Sequence, residues 1–194
     1  MKIGLYFGSF NPVHNGHMII ASFMRQYTDL EQVWMVVSPQ NPFKTNQSLL
    51  NEYQRLHLVK IAAEEDLCIK AIDIEFHLPR PSYTINTLTY LDEKYPQHQF
   101  AIIMGSDSLM NLDKWKSSKI IMERYPIYVY ERPGFPINKT LPVAKLVETK
   151  APLLEISASM VRNMVRAGKS IRFFVPEKVM NDIEQNGYYK GKEK

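Results

Sequence analysis

The sequence predicts an α/β fold: a parallel sheet wound with helices on both faces. Three observations carry this expectation. Short apolar runs, KIGLYF at 2–7, QVWMVV at 32–37, FAIIM at 100–104 and IYVY at 127–130, recur along the chain, and their near-continuous apolar character suits strands covered on both sides. Segments with helical spacing separate them, and alternating strands and helices favour parallel pairing. The stretches after the runs hold glycine, proline and polar residues, and open sheets of this kind take ligands beyond their C-terminal strand ends.

Bulk properties narrow the class. With 194 residues, 45% of them apolar, the chain reads as a single domain over 1–194 with its own core. No internal repeat, low-complexity linker or domain boundary interrupts it. No apolar run approaches the roughly 18 residues of a membrane span, and the N-terminus reads as a strand entering a turn, not a signal peptide. Cys68 is the single cysteine, which excludes an internal disulfide and fits a reducing, cytoplasmic setting. The net charge of +4 is spread out, so nucleic acid is not an expected partner, whereas small anionic substrates are. A homo-oligomer is left open.

Taken in order, strand 2–7 leads through Gly8 to His17 into a helix opening near Asn15 or Gly16, with Met18, Ile19, Ala21 and Phe23 apolar. Strand 32–37 ends in a proline-bearing loop over 38–44. Asn51 caps a helix over 51–65. A third strand covers 67–72, an irregular stretch with two prolines brackets Arg80, and helix 83–95 follows. Strand 100–104 stops at Gly105-Ser106-Asp107, and short helices are expected around 109–115 and over 118–125. Strand 127–130 is stopped by Arg132-Pro133-Gly134. Two short apolar runs lie near Leu146 and over 153–156. Ser157-Ala158-Ser159 opens a helix through Val165, and Val175-Pro176 opens the last, to Gln185.

The first strand–turn–helix carries the chemistry. Gly8 admits a close backbone approach, Pro12 stiffens the turn and Gly16 removes a side chain at the helix start. A helix N-terminus presents unpaired N–H groups and roughly half a positive charge, a setting for phosphate. His14 and His17, three apart, reach the same side of it, and that positive end favours neutral rings. Two other readings compete: the histidines are structural, or they ligate a metal. The metal reading lacks ligands, because His57, His77 and His98 lie in unrelated contexts. At the far end of the chain, one of Ser157 and Ser159 caps a helix. The other hydroxyl and Arg162, one turn in, suit phosphate oxygens.

His14-Asn15-Gly16-His17 resembles the HxGH signature of nucleotidyltransferases, and Gly8-Ser9-Phe10-Asn11-Pro12 resembles the run before it in nicotinate-mononucleotide adenylyltransferases. Ile156-Ser157-Ala158-Ser159-Met160-Val161-Arg162 is similar to the ISSTxxR motif of the same family. Asn41-Pro42-Phe43-Lys44 is similar to its PPHK-like loop, Pro81-Ser82-Tyr83-Thr84 to its PSYT stretch, Gly105-Ser106-Asp107 to its GxD element and Arg132-Pro133-Gly134 to its RPG loop. The chain departs from the pattern at Phe7 (glycine in GGTF), Phe43 (histidine), Ala158 (serine) and Ser159 (threonine).

The resemblance implies a Rossmann-like doubly wound parallel sheet with a small helical C-terminal region, and an adenylyl transfer from ATP to nicotinate mononucleotide that releases pyrophosphate. It implies that His17 stabilises charge on the α-phosphate, that His14 orients the triphosphate and that Lys44 and Arg162 neutralise phosphate charge. Gly8, Ser9, Phe10, Gly16, Gly105, Asp107, Ile156, Ser157 and Ser159 would hold the nucleotide. Tyr83, Thr84, Trp115 and Arg132 would hold the mononucleotide, with Trp115 stacked on the pyridine ring. Magnesium is expected to arrive with ATP, since carboxylates are not clustered. Each role has a plainer counterpart: Trp115 as core, Asp107 as a helix cap, Tyr83 and Thr84 as a helix start. For Glu75 and Arg80 the sequence offers no role. Competing functions are a nicotinamide-mononucleotide or phosphopantetheine adenylyltransferase and a non-catalytic nucleotide-binding module.

Overall fold

The computed structural model describes residues 1–39, 49–137 and 142–191. Its centre is a six-stranded sheet in the order β3-β2-β1-β4-β5-β6. The strands are β1 (Lys2–Gly8), β2 (Gln32–Val37), β3 (Ile69–Ile72), β4 (Gln99–Gly105), β5 (Ile127–Tyr130) and β6 (Leu146–Thr149), and every neighbouring pair is parallel. The fold is the expected doubly wound one. Strand order reverses between β1 and β4, where the chain leaves β1 in one direction for β2 and returns on the other side. That crevice is where such sheets bind ligands.

Side-chain alternation along the strands divides the core in two. Ile3, Leu5, Trp34, Val36, Ile102 and Val129 face α3 (Thr84–Lys94), α4 (Ser106–Leu109) and α5 (Ser118–Arg124). Tyr6, Val33, Met35, Ile103 and Tyr128 face α1 (Asn15–Tyr27), α2 (Glu52–Ala63), α6 (Ala158–Arg166) and α7 (Glu177–Gln185). The helical C-terminal region therefore packs on the face that already carries α1 and α2. Val161, Val179 and Ile183 lie in the same apolar cluster as Ile20 and Leu58.

The structure adds to or corrects the elements read from sequence at four places. The run near Leu146 is the edge strand β6, paired to β5 through Leu146–Thr149; four residues with Glu148 among them give too little alternation to announce a strand. The run 153–156 forms no element. The helix expected around 109–115 is α4, starting directly at the end of β4, then a separate 3₁₀ turn over Leu112–Lys114. β3 starts at Ile69, not at 67, because Leu67 is exposed and Asp66 turns the chain by accepting a hydrogen bond from the Cys68 N–H at 2.8 Å.

Candidate active site

The loop after β1 is shaped by aromatic rings. A Cβ on Gly8 would lie 2.8 Å from the Phe10 ring, so glycine is required here by Phe10 and not only by an approaching ligand. Phe10 itself adopts a positive φ of 44° and is 2% exposed. Its ring stands edge-on to His17 at 5.0 Å and to Tyr6 at 5.9 Å.

His14 precedes α1 and is buried. Its ring stacks on that of His17 at 3.6 Å, and a Cβ on Gly16 would come within 3.0 Å of its Nδ1. Gly16 thus makes room for an imidazole. Burial, assisted by the Arg132 guanidinium, lowers the His14 pKa to about 4. The neutral ring predicted from the helix terminus is present, with desolvation as its main cause. The His14 N–H donates to His17 Nδ1 at 3.2 Å. A nitrogen that accepts carries no proton, so the neutral His17 ring carries its proton on Nε2.

A second layer ties this loop to the rest of the molecule. Arg55, 1% exposed, donates through Nη1 to the carbonyls of Ser9 and Ser38 at 2.5 and 2.8 Å. It also donates through Nη2 to Pro39 at 3.2 Å and through Nε to Leu50 at 2.9 Å. One side chain from α2 therefore clamps the ends of β1 and β2 together. Asn11 Oδ1 accepts from the Leu50 N–H at 3.1 Å and from the Tyr189 hydroxyl at 2.9 Å. Arg162 reaches across from α6, donating through Nη1 to the Asn11 carbonyl at 2.7 Å and through Nη2 to Ser159 Oγ at 3.1 Å. Its Nε is buried with no partner. Ser157 is the cap, accepting from the Met160 N–H at 3.2 Å.

Across the strand crossover, a Cβ on Gly105 would strike Asp107 Oδ1 at 2.5 Å and Arg132 Cγ at 2.9 Å. Glycine lets those two charged side chains converge over the end of β4. Asp107 lies inside α4 and Gly105 holds the cap position with no side-chain cap bond, so the helix-cap reading of Asp107 does not hold. Buried Ser106 locks the adjoining turn, donating to the Phe135 carbonyl at 2.5 Å and accepting from the Arg132 N–H at 2.9 Å. Tyr6 and Tyr130 share a hydrogen bond at 3.0 Å beneath them.

The remaining side is looser. Tyr83 and Thr84 do begin a helix: Tyr83 takes the N-cap position of α3 without a side-chain cap bond. Trp115 is half-buried and packs on the core of its face. The Lys116 ammonium lies 4.5 Å from the Tyr83 ring centre. Below them Glu75 is 2% exposed, with Oε1 accepting from the Thr87 hydroxyl at 3.0 Å and Oε2 unpartnered. Burial raises its pKa against the opposing pull of nearby hydroxyls. Arg80 pairs outside with Glu52 at 2.6 Å.

These pieces enclose a cavity of about 490 Å³ at the crossover. Gly8, Ser9, Phe10, His14, His17, Tyr83, Thr84, Gly105, Asp107, Trp115, Arg132, Ile156, Ser157, Ser159 and Arg162 all line it. Gly16 lines a small recess beside it, with His14 and Ile156. Lys44 and its neighbours Asn41, Pro42 and Phe43 lie outside the described residues.

Comparison with known proteins agrees with this geometry. A cytidylyltransferase-like family model matches residues 5–164. A relative from Cytophaga hutchinsonii, named "Probable nicotinate-nucleotide adenylyltransferase", is 52% identical over 190 residues, covering 97% of this chain and 98% of the relative. A relative of the same name from Flavobacterium johnsoniae is 48% identical, covering 98% and 100%. The chain belongs to the nicotinate-nucleotide adenylyltransferase family, among the cytidylyltransferase-like domains. Its fold matches the Plasmodium falciparum nicotinic acid mononucleotide adenylyltransferase solved with NaAD, with a TM-score of 0.83 at 20% identity over 97% of each chain.

For a member of this adenylyltransferase family, sequence reasoning missed the supports. Arg55, Tyr130 and Tyr189 sit in helix, strand and tail with no motif around them, and only the structure shows where they reach. Glu75 carried a faint signal, a carboxylate inside a stretch that otherwise reads as apolar. Among the described residues no group of three or more His, Cys, Asp or Glu side chains stands ready for a metal. No helix of the described residues is long and apolar enough to cross a membrane.

Proposed function

We propose that this chain transfers the adenylyl group of ATP to nicotinate mononucleotide, giving nicotinate adenine dinucleotide and pyrophosphate. The observation that carries the reading is the stacked His14–His17 pair at the start of α1, facing Arg162 and Ser159 of α6 across one cavity. The family assignment supplies the reaction.

The chemistry asks for positioning more than for a nucleophile from the protein. An oxygen of the mononucleotide's 5′-phosphate attacks the α-phosphorus of ATP in line. The bond from that phosphorus to the bridging oxygen of the β-phosphate breaks, and pyrophosphate leaves. The attacking phosphate is already anionic, so no strong base is needed, and the rate comes from alignment and charge stabilisation. His17, with its proton on Nε2, donates to an α-phosphate oxygen as charge develops there. Neutral His14 holds His17 in place by stacking and by its N–H, and orients the triphosphate. Arg162 offers a positive charge to the outer phosphates, with Lys44 as a second cation. Ser157, Ser159, Ile156 and the glycines Gly8, Gly16 and Gly105 shape the nucleotide side, and Asp107 suits a ribose hydroxyl.

Magnesium fits as part of the nucleotide complex. Asp107 stands beside Arg132, and Glu75 is buried with burial raising its pKa. Neither belongs to a ready carboxylate cage, so phosphates and water would supply most of its ligands. The chain acts as one domain in the cytoplasm, alone or as a homo-oligomer.

A panel of nicotinate mononucleotide, nicotinamide mononucleotide and phosphopantetheine, each with ATP and a pyrophosphate assay, tests the assignment. The acid mononucleotide is expected to have the highest kcat/KM by several powers of ten, because donors left facing an amide NH₂ are costly. Preference for phosphopantetheine, or release of no pyrophosphate with any of them, refutes it.

A further inference from the structure

The pyridine side of the cavity holds a cation that no motif points to. Lys116 follows the 3₁₀ turn Leu112–Lys114 and Trp115, and the chain then bends through Ser117, whose φ is 56°. The Lys116 ammonium lies over the Tyr83 ring at 4.5 Å. Tyr83 and Lys116 both line the cavity, together with Ser82, Thr84 and Trp115. We propose that Lys116 is the residue that recognises the substrate's carboxylate and so sets the preference for an acid over an amide mononucleotide. The proposal rests on the nicotinate reading above and names the residue behind its selectivity.

Three features converge on a carboxylate. The start of α3 has no side-chain cap, so its first N–H groups are oriented toward an acceptor. Ser82, 9% exposed, places its hydroxyl beside the Glu75 carboxyl at the same wall. Those donors alone serve a carbonyl oxygen of either substrate, because acid and amide share it. A positive charge separates the two, since one group is anionic and acceptor-only while the other is neutral and brings an NH₂. The other cations of the described lining stand at other elements: Arg162 at the start of α6, bonded to Asn11 and Ser159, and Arg132 beyond β5, with its stem over Gly105. Lys116 rests on an aromatic face, which holds an ammonium without neutralising it.

The test uses the full chain with saturating ATP and measures kcat/KM for both mononucleotides in wild type, Lys116→Met and Lys116→Arg. The side chain is exposed, so both variants are expected to fold. Lys116→Met should lower the acid-to-amide ratio about tenfold, through KM for the acid, and Lys116→Arg should restore most of it. A ratio unchanged in Lys116→Met, or equal losses for both substrates, overturns the role of Lys116. Wild type that uses neither mononucleotide overturns the nicotinate reading, and this proposal with it, before any variant is compared.

Discussion

At the histidine end of the cavity, each turn is tied to a distant element by a buried side chain: Arg55 to the ends of β1 and β2, Asn11 to Tyr189, Arg162 back to Asn11. At the tyrosine–tryptophan end the side chains lean on each other near the surface and α3 starts uncapped. The first end is cross-braced by hydrogen bonds from side chains to distant backbone, with His14 Nδ1 and Arg162 Nε left unpartnered. The second is held mainly by ring contacts and an uncapped helix start. The difference matches the division of labour proposed above, since in-line attack at phosphorus demands fixed geometry, whereas selecting a ring substituent demands the right unpaired groups.

Substitutions that break the contrast should act through stability, kcat or ATP affinity at the first end and through KM for the mononucleotide at the second. The largest effect is expected for Arg55→Ala, which strands carbonyls of Ser9, Ser38, Pro39 and Leu50. A loss of roughly 3–5 kcal/mol is expected, read as a Tm drop of about 10 °C. A Tm within about 2 °C of wild type would show that the clamp is dispensable.

His14 gives the next effect, through pH. Its native pKa is about 4 against an ordinary 6.5, so between those values the unfolded chain takes up a proton that the native state refuses. Stability is therefore fully present above about pH 6.5 and falls as pH drops toward 4, by roughly 3 kcal/mol from this group. Glu75, raised by burial, acts in the opposite direction, so the contribution is isolated by comparison with His14→Gln in urea unfolding at pH 7 and 4.5. An equal loss in both proteins would remove His14 as the cause.

His17→Ala is expected to fold normally and lose about 100-fold in kcat, the usual scale for one donor to a developing charge. Near-wild-type turnover would take His17 out of the mechanism. Arg162→Ala should weaken ATP by about tenfold, with Arg162→Lys retaining part of the affinity because the charge stays while the fork is lost; calorimetry separates the three proteins. The smallest effect is expected for Trp115→Ala, a roughly five-fold rise in KM for both pyridine mononucleotides with ATP unaffected, through lost stacking. A change in ATP affinity of the same size would erase the distinction between the two ends.

The sequence made the ligand-facing surface legible and left its supports hidden. Gly8, His14, Gly16 and His17 form a local pattern, as do Ser157, Ser159 and Arg162, so spacing alone placed them at two helix starts. The strands that face both ways, such as 32–37 and 100–104, announced the parallel sheet. β6 escaped notice because an edge strand of four residues has only one buried side to write into its sequence. Arg55 escaped because its partners are backbone carbonyls distant in the chain, and a carbonyl leaves no residue signature. Lys116 belongs to no motif, and only the structure shows its ammonium over the Tyr83 ring.

The central claim is transfer of the adenylyl group at the α-phosphorus, and labelling that atom tests it most directly. With ATP carrying a radiolabelled α-phosphate and nicotinate mononucleotide, the purified protein should move the label into nicotinate adenine dinucleotide, one for each pyrophosphate released. Label that stays in ADP, or pyrophosphate formed without labelled dinucleotide, would contradict the account.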